Sequence, residues 1–209
     1  MLENIEVLCH SSIKITKEKI IYIDPYKIKE EMHDADIIFC THSHYDHFSE
    51  EDILKIKKGT TKLVITEDCM IKAMTLGFYK EEILIVEPNK QYVIDGIEFE
   101  TINAYNIDKK YHPKENLWVG YILNINKIRY YIAGDTDITQ ENKKVKCDVA
   151  FLPIGGIYTM NFKEAASLAN TIKPKIAVPT HYGEIVGRTE DVAVFEKLLN
   201  EEINCKKYI

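Results

Sequence analysis

Arginine is almost absent: Arg129 and Arg188 are the only two in 209 residues. A fork of several guanidiniums around a polyphosphate is therefore excluded. Basic charge is scarce as well, with 27 Lys plus Arg against 33 Asp plus Glu and a formal net charge of -6. That balance argues against a nucleic-acid-binding face. No apolar run approaches the roughly 20 residues that span a bilayer; stretches such as 37–40 and 83–86 have the length of strands. The five cysteines, Cys9, Cys40, Cys69, Cys147 and Cys205, include no CxxC pair, which excludes a zinc knuckle or a thioredoxin-like dithiol. They read as reduced thiols of a cytoplasmic protein. Residues 1–6 carry neither the basic segment nor the apolar core of a secretory signal. Pro-, Gly- or Ser-rich linkers are also missing, so a single domain over residues 1–209 is expected.

What is present is enough apolar sequence to bury a core, at 45% of residues. Short β-rich runs at 5–9, 12–15 and 20–23 read as strands, the third stopped by Asp24-Pro25. The run 36–41 is nearly all apolar, as in a strand buried on both faces. Ser49 followed by Asp52 resembles a capping box and predicts a helix over 50–57. Beyond it the pattern predicts a strand at 62–66, a helix at 67–76 ended by Gly77, and a strand at 83–86. Hairpins are expected around Asp95-Gly96 and Ile125-Asn126. A strand at 149–152, a helix from the cap Asn161 to Ile172, a strand at 176–178 and a helix at 189–200 complete the chain. Glu164 reads as helix surface, and His33 as part of a charged surface turn with no role. This element order suits two sheets packed face to face with helices outside.

Histidine is unevenly spread. Of seven in the chain, three fall in the six residues His42-Ser43-His44-Tyr45-Asp46-His47. In an extended segment, residues two apart point the same way, so His42 and His44 can grip one ion while Asp46 and His47 face a second. Imidazole nitrogen with carboxylate oxygen suits zinc and neighbouring first-row metals. Two further strands end in candidate ligands: Asp135 follows an apolar run and Gly134, and His181 follows Pro179-Thr180. Read singly, the one could be a turn residue and the other a capping histidine. Several strands ending in metal-binding side chains favour a common site.

These residues resemble the metallo-β-lactamase superfamily. The His-x-His-x-Asp-His signature stands at residues 42–47, Gly-Asp-Thr-Asp at 134–137 and Pro-x-His at 179–181. Cys9-His10-Ser11-Ser12 with Ile23-Asp24-Pro25 looks most like the lactonase-like branch, related to ascorbate-6-phosphate lactonase. The resemblance implies an α+β fold, a four-layer αββα sandwich of two mixed β-sheets with helices on the outer faces. It also implies a dinuclear site, with metal one at His42 and His44, metal two at Asp46, His47 and His181, and Asp135 between them. One departure stands out: where the family supplies a third histidine to metal one, this chain has Asn106, and His112 follows six residues later. His112 is preferred because imidazole binds zinc better than an amide does; an exposed loop histidine is the plainer reading.

The expected function is a metal-dependent hydrolase, with two divalent ions, zinc first and Mn2+ or Fe2+ as alternatives. A metal-bound hydroxide would act on a small-molecule ester, lactone or phosphodiester. Asp46 would orient that hydroxide, His10 would donate a hydrogen bond to substrate or leaving group, and Tyr158 would make a polar contact. Plainer readings stand beside two of these: His10 as an ordinary strand-end histidine, and Gly155-Gly156 as a loop that merely turns the chain. Two alternatives belong to other classes, a non-catalytic metal-binding sensor or scaffold and a diiron redox protein. Neither a nucleic acid nor a membrane is expected as a partner, and oligomeric state has no signature in the sequence.

Overall fold

Thirteen strands and four helices build two sheets whose strands lie side by side in the order in which the chain makes them. The computed structural model describes residues 1–209. It divides into two compact units, residues 2–86 and residues 87–208, with Met1 grouped with the second and Ile209 with the first. No helix is long and apolar enough to cross a membrane.

The first unit holds a six-stranded sheet: β1 (Ile5–Cys9), β2 (Ser12–Thr16), β3 (Ile20–Ile23), β4 (Ala35–Phe39), β5 (Lys57–Ile65) and β6 (Ile83–Ile85). β1 to β3 form an antiparallel meander, and β3 to β6 run parallel. Parallel neighbours need crossovers: α1 (Glu50–Ile56) lies in the one from β4 to β5 and α2 (Met70–Thr75) in the one from β5 to β6, while β3 and β4 are joined without a helix. Both helices bury their apolar stripe on one face of the sheet, where Ile53, Ile56 and Ala73 join Ile38, Leu63 and Ile65 in one core. The expected strand at 62–66 begins five residues earlier, because β5 bulges: Ala35 pairs with Lys57 but Ile37 with Lys62. The expected helix at 67–76 is split into a 3-10 turn at Glu67–Cys69 and the short α2.

The second unit repeats the plan with seven strands: β7 (Gln91–Ile94), β8 (Ile97–Asn103), β9 (Val119–Ile125), β10 (Ile128–Ile132), β11 (Val149–Pro153), β12 (Ile176–Thr180) and β13 (Asn204–Cys205). β7 to β10 are antiparallel and β10 to β13 parallel, with α3 (Phe162–Ile172) and α4 (Asp191–Leu198) in the crossovers. The two mixed sheets with their helices make the α+β class expected. The second hairpin turns one residue later than expected, at Asn126-Lys127, since both residues take positive φ, 52° and 63°, as a type I′ turn requires.

Helix α3 shows how sequence sets a boundary. Asn161 Oδ1 accepts from the Lys163 and Glu164 N–H groups, and Glu164 reaches back to the Asn161 N–H at 2.8 Å. Glu164 therefore caps the helix instead of decorating its surface. Ala165, Leu168, Ala169 and Ile172 follow at helical spacing and are buried. Replacing Asn161 with Ala is expected to cost about 1 kcal/mol, and Leu168→Ala about 2–5 kcal/mol. Urea unfolding of the two variants checks both the size and the order.

Candidate metal centre

Strand direction gathers the candidate residues. In the first unit β1, β3 and β4 run the same way, so His10, Asp24 and the 42–47 turn leave one edge of the sheet. In the second unit β8, β10, β11 and β12 do likewise, and their ends lead to His112, Asp135, Tyr158 and His181. The carboxyl edge of parallel strands is where open α/β sheets bind ligands. His10, Asp24, His112 and His181 all have positive φ there, 53°, 48°, 60° and 57°. That conformation is uncommon for residues other than glycine and is concentrated at functional edges.

In the first unit the organiser is Asp24, fully buried. Its Oδ1 accepts from the Thr41 N–H at 2.7 Å, and its Oδ2 from the Thr41 hydroxyl at 2.9 Å and from His47 Nδ1 at 2.7 Å. Burial pushes the Asp24 carboxyl above the usual range, while His47 and the Thr41 donors oppose the rise. The hydrogen-bond pattern assigns both neighbouring imidazoles. His47 Nδ1–H donates to Asp24, and the Thr41 oxygen, whose hydrogen goes to Asp24, accepts from His42 Nδ1–H at 3.0 Å. Each ring then keeps Nε2 as its lone-pair atom. His42 Nε2 lies 3.1 Å from His44 Nδ1. Tetrahedral zinc with bonds of 2.0–2.1 Å has an edge of about 3.3 Å, so this pair fits one ion. Asp46 Oδ2 is 3.3 Å from His10 Nε2 and 3.6 Å from His47 Nε2.

In the second unit a single carboxylate oxygen, Asp135 Oδ2, lies 3.1 Å from His112 Nε2 and 3.1 Å from His181 Nε2. All three residues are buried. The structure therefore brings His112, and not Asn106, to Asp135. The Asn106 amide nitrogen is committed elsewhere: Nδ2 donates to the carbonyls of Tyr111 at 2.9 Å and Tyr158 at 2.7 Å and lies 3.3 Å from His112 Nδ1, while Oδ1 is buried with no hydrogen-bond partner. Its main-chain N–H donates to the His112 carbonyl at 2.8 Å, which closes the loop that carries the histidine. Asp137 holds the same loop, accepting from the Ile107 N–H at 3.0 Å and pairing with Lys109. The Tyr158 ring packs edge-on against Tyr111 with centroids 4.8 Å apart. Gly155 is required by close approach, since a Cβ there would lie 2.5 Å from the His181 carbonyl oxygen.

Sequence reasoning missed Asp24 and Thr41 as organisers and Asp137 as the tie of the loop. A buried-strand end reading Ile23-Asp24-Pro25 was the available signal: Pro25 stops the strand, and the acid before it faces the sheet edge. His33 is exposed and its Nδ1 lies 2.9 Å from the Lys57 carbonyl, away from every candidate ligand of its unit. No disulfide joins the cysteines, and burial pushes Cys69 and Cys147 up to about 12 and Cys205 to about 11. These thiols are poor ligands and nucleophiles at neutral pH.

The Asp24→Asn variant keeps the shape but sets an amide N–H₂ among three donors. It is expected to lose about 1–3 kcal/mol of stability and about 10–100-fold in metal affinity. Thermal unfolding and competition with a chelating dye measure the two.

Residues 4–181 match the family model described as a β-lactamase superfamily domain. A UPF0173 metal-dependent hydrolase of Lysinibacillus sphaericus is 30% identical over 95% of this chain and 93% of its own. A crystal structure from Parabacteroides distasonis, assigned as a metal-dependent hydrolase, is 30% identical with a TM-score of 0.82, covering 98% of this chain and 91% of that one. The metallo hydrolase Igni18 of Ignicoccus hospitalis shares the fold at 20% identity and a TM-score of 0.75, over 98% and 94% of the two chains. With buried His and Asp groups suited to holding metal, the chain belongs to the β-lactamase superfamily and is a metal-dependent hydrolase of metallo-β-lactamase fold.

Proposed function

We propose that the two clusters work together, as one domain, in a dinuclear metal centre that hydrolyses an ester, lactone or phosphodiester bond of a small molecule. His42, His44 and His112 are assigned to one ion, Asp46, His47 and His181 to the other, and Asp135 to both. The pairing across the two units follows the order of the motifs. The observation that carries it is the Asp135 oxygen at 3.1 Å from two imidazole nitrogens assigned to different ions. Imidazole and carboxylate donors suit Zn2+ first, then Mn2+ or Fe2+. When bound, such ions lower the pKa of water toward about 7 and polarise a carbonyl or phosphoryl oxygen.

The chain's own residues orient the reaction. Asp46 would accept a hydrogen bond from the attacking water and so turn a water lone pair toward substrate. His10, 3.3 Å from Asp46 Oδ2, keeps that carboxylate aimed. Asp24 and Thr41 hold His47 and His42 in the tautomer that leaves Nε2 bare. Tyr158, on the loop after β11, would offer its phenol to the substrate. A cytoplasmic setting fits five cysteines with no disulfide among them.

Metal analysis by mass spectrometry tests the assignment. Two ions per chain are expected, about one in His112→Ala, and two in Asn106→Ala; two ions in His112→Ala would remove His112 from the set. Chelation is expected to abolish hydrolysis over a panel of lactones, esters and bis(p-nitrophenyl) phosphate, and added zinc or manganese to restore it. A loaded chain inactive on the whole panel would overturn the substrate class.

A further inference from the structure

Folding ordinarily buries large apolar side chains and leaves polar ones to water. Two loops of the second unit do the reverse. In the loop after β8, Asn106 and His112 are buried, while their chain neighbours Ile107 and Tyr111 are 59% and 45% exposed. In the loop after β11, Thr159 is buried, Tyr158 half-buried and Ile157 63% exposed. We infer that Ile107, Tyr111, Ile157 and Tyr158 form a subsite for an uncharged apolar group of the substrate, a ring or an alkyl chain, beside the His112–Asp135 cluster. The inference deepens the hydrolase reading and rests on it, naming the kind of ester, lactone or phosphodiester that fits: one with an apolar arm.

One amide holds the two loops side by side. Asn106 Nδ2 donates to the carbonyls of both Tyr111 and Tyr158, at 2.9 Å and 2.7 Å. The two tyrosine rings meet edge to face, with centroids 4.8 Å apart and planes at 89°, a favoured aromatic geometry that a third ring can extend. Main-chain bonds close each loop on itself: the Asn106 N–H donates to the His112 carbonyl at 2.8 Å, and the Gly156 N–H to the Met160 carbonyl at 3.1 Å. The Met160 N–H in turn donates at 3.0 Å to the carbonyl of Thr136, the residue after Asp135. Tyr111 itself immediately precedes His112, whose Nε2 lies 3.1 Å from Asp135 Oδ2. The apolar side chains are therefore carried on the backbone that carries the cluster, and a ligand finds them already in place.

Exposed apolar residues occur elsewhere in the chain, and what separates these is the character of the buried positions around them. Ile71 and Met74 of α2 and Val194 and Leu198 of α4 are exposed, but the inner positions of those helices are Ala73, Val192 and Phe195. Burial of an apolar stripe accounts for such helices whatever stands on the outer face. In the two loops the inner positions are Asn106, His112 and Thr159, so no core is served by turning the chain this way. A group of exposed apolar side chains beside a polar site marks a binding surface. Size selects the occupant: a stable protein interface takes about 20–30 residues a side, whereas four side chains match one ring or a short chain.

The test is calorimetric titration of the metal-loaded full chain with four hydroxamates that share one metal-binding head. The tails are a methyl in acetohydroxamate, a ring in benzohydroxamate, an alkyl chain in octanohydroxamate and a carboxylate in succinic monohydroxamate. The ring or the alkyl chain is expected to bind about tenfold tighter than the methyl, and the carboxylate no tighter than the methyl. Tyr111→Ser and Ile157→Ser are expected to cut that preference about threefold or more, with acetohydroxamate affinity, metal content and melting temperature unchanged. Ile71→Ser, on α2, is expected to keep the wild-type preference. Should Tyr111→Ser disturb its loop, Ile107→Ser and Ile157→Ser decide. A preference unchanged in both of these, equal affinity for all four tails, or a carboxylate tail bound as tightly as the ring overturns the proposal. So does a wild-type dimer in sedimentation that Ile157→Ser dissociates with the tail preference intact, since the patch is then an interface between copies. A chain that takes up no metal is seen before any titration and removes the centre and the subsite together. Absent turnover with the tail preference intact overturns the hydrolase reading alone.

Discussion

The carboxylate of Asp24 is the contact on which the arrangement of the first unit's edge depends. A charged group with no exposed surface persists only if donors replace its water. Here one side chain collects three, from two positions of the segment that follows β4. Its own backbone N–H donates to the Phe39 carbonyl, so the ends of β3 and β4 are tied through main chain and side chain together. The histidine turn starts from that tie. Without it, His42 and His47 would be free to rotate or change tautomer, and the 3.1 Å spacing of His42 and His44 would have no fixed frame.

The second unit solves the same problem with backbone carbonyls. Asn106 gathers Tyr111, Tyr158 and the His112 main chain, and Asp137 gathers Ile107 and Lys109. A long excursion after β8 is thus closed by two polar side chains, and a histidine in a left-handed conformation ends within reach of Asp135. Carboxylate in one unit and amide in the other perform one task, which is holding imidazoles still.

Much of this was legible in the sequence where one residue decides one feature. Asn161 announced α3, Asp95-Gly96 announced a hairpin, and the histidine turn, Gly134-Asp135 and His181 each stood directly after an apolar strand run. Legibility failed where two distant residues share a decision. Asp52 looked like half of a capping box because its partners Lys27 and Ile28 lie on another loop. Glu164 looked like surface because reciprocal capping depends on geometry at Asn161. The β5 bulge came from Thr61, whose hydroxyl donates to the Ala35 carbonyl and accepts from the Lys58 N–H, a register choice no propensity encodes. β13, at two residues, is too short to leave a pattern.

Because strand order follows chain order in both sheets, no strand has to insert between two already paired. Each arriving segment adds to an open margin, and the last one added is left as the border. Those final borders are brief: β6 has three residues and β13 two. The opposite border of the first sheet, β1, has its pairing interrupted between Val7 and Cys9. A foreign strand seeking a row of unpaired backbone groups finds only short or broken stretches at these three margins, which limits sticking between copies there.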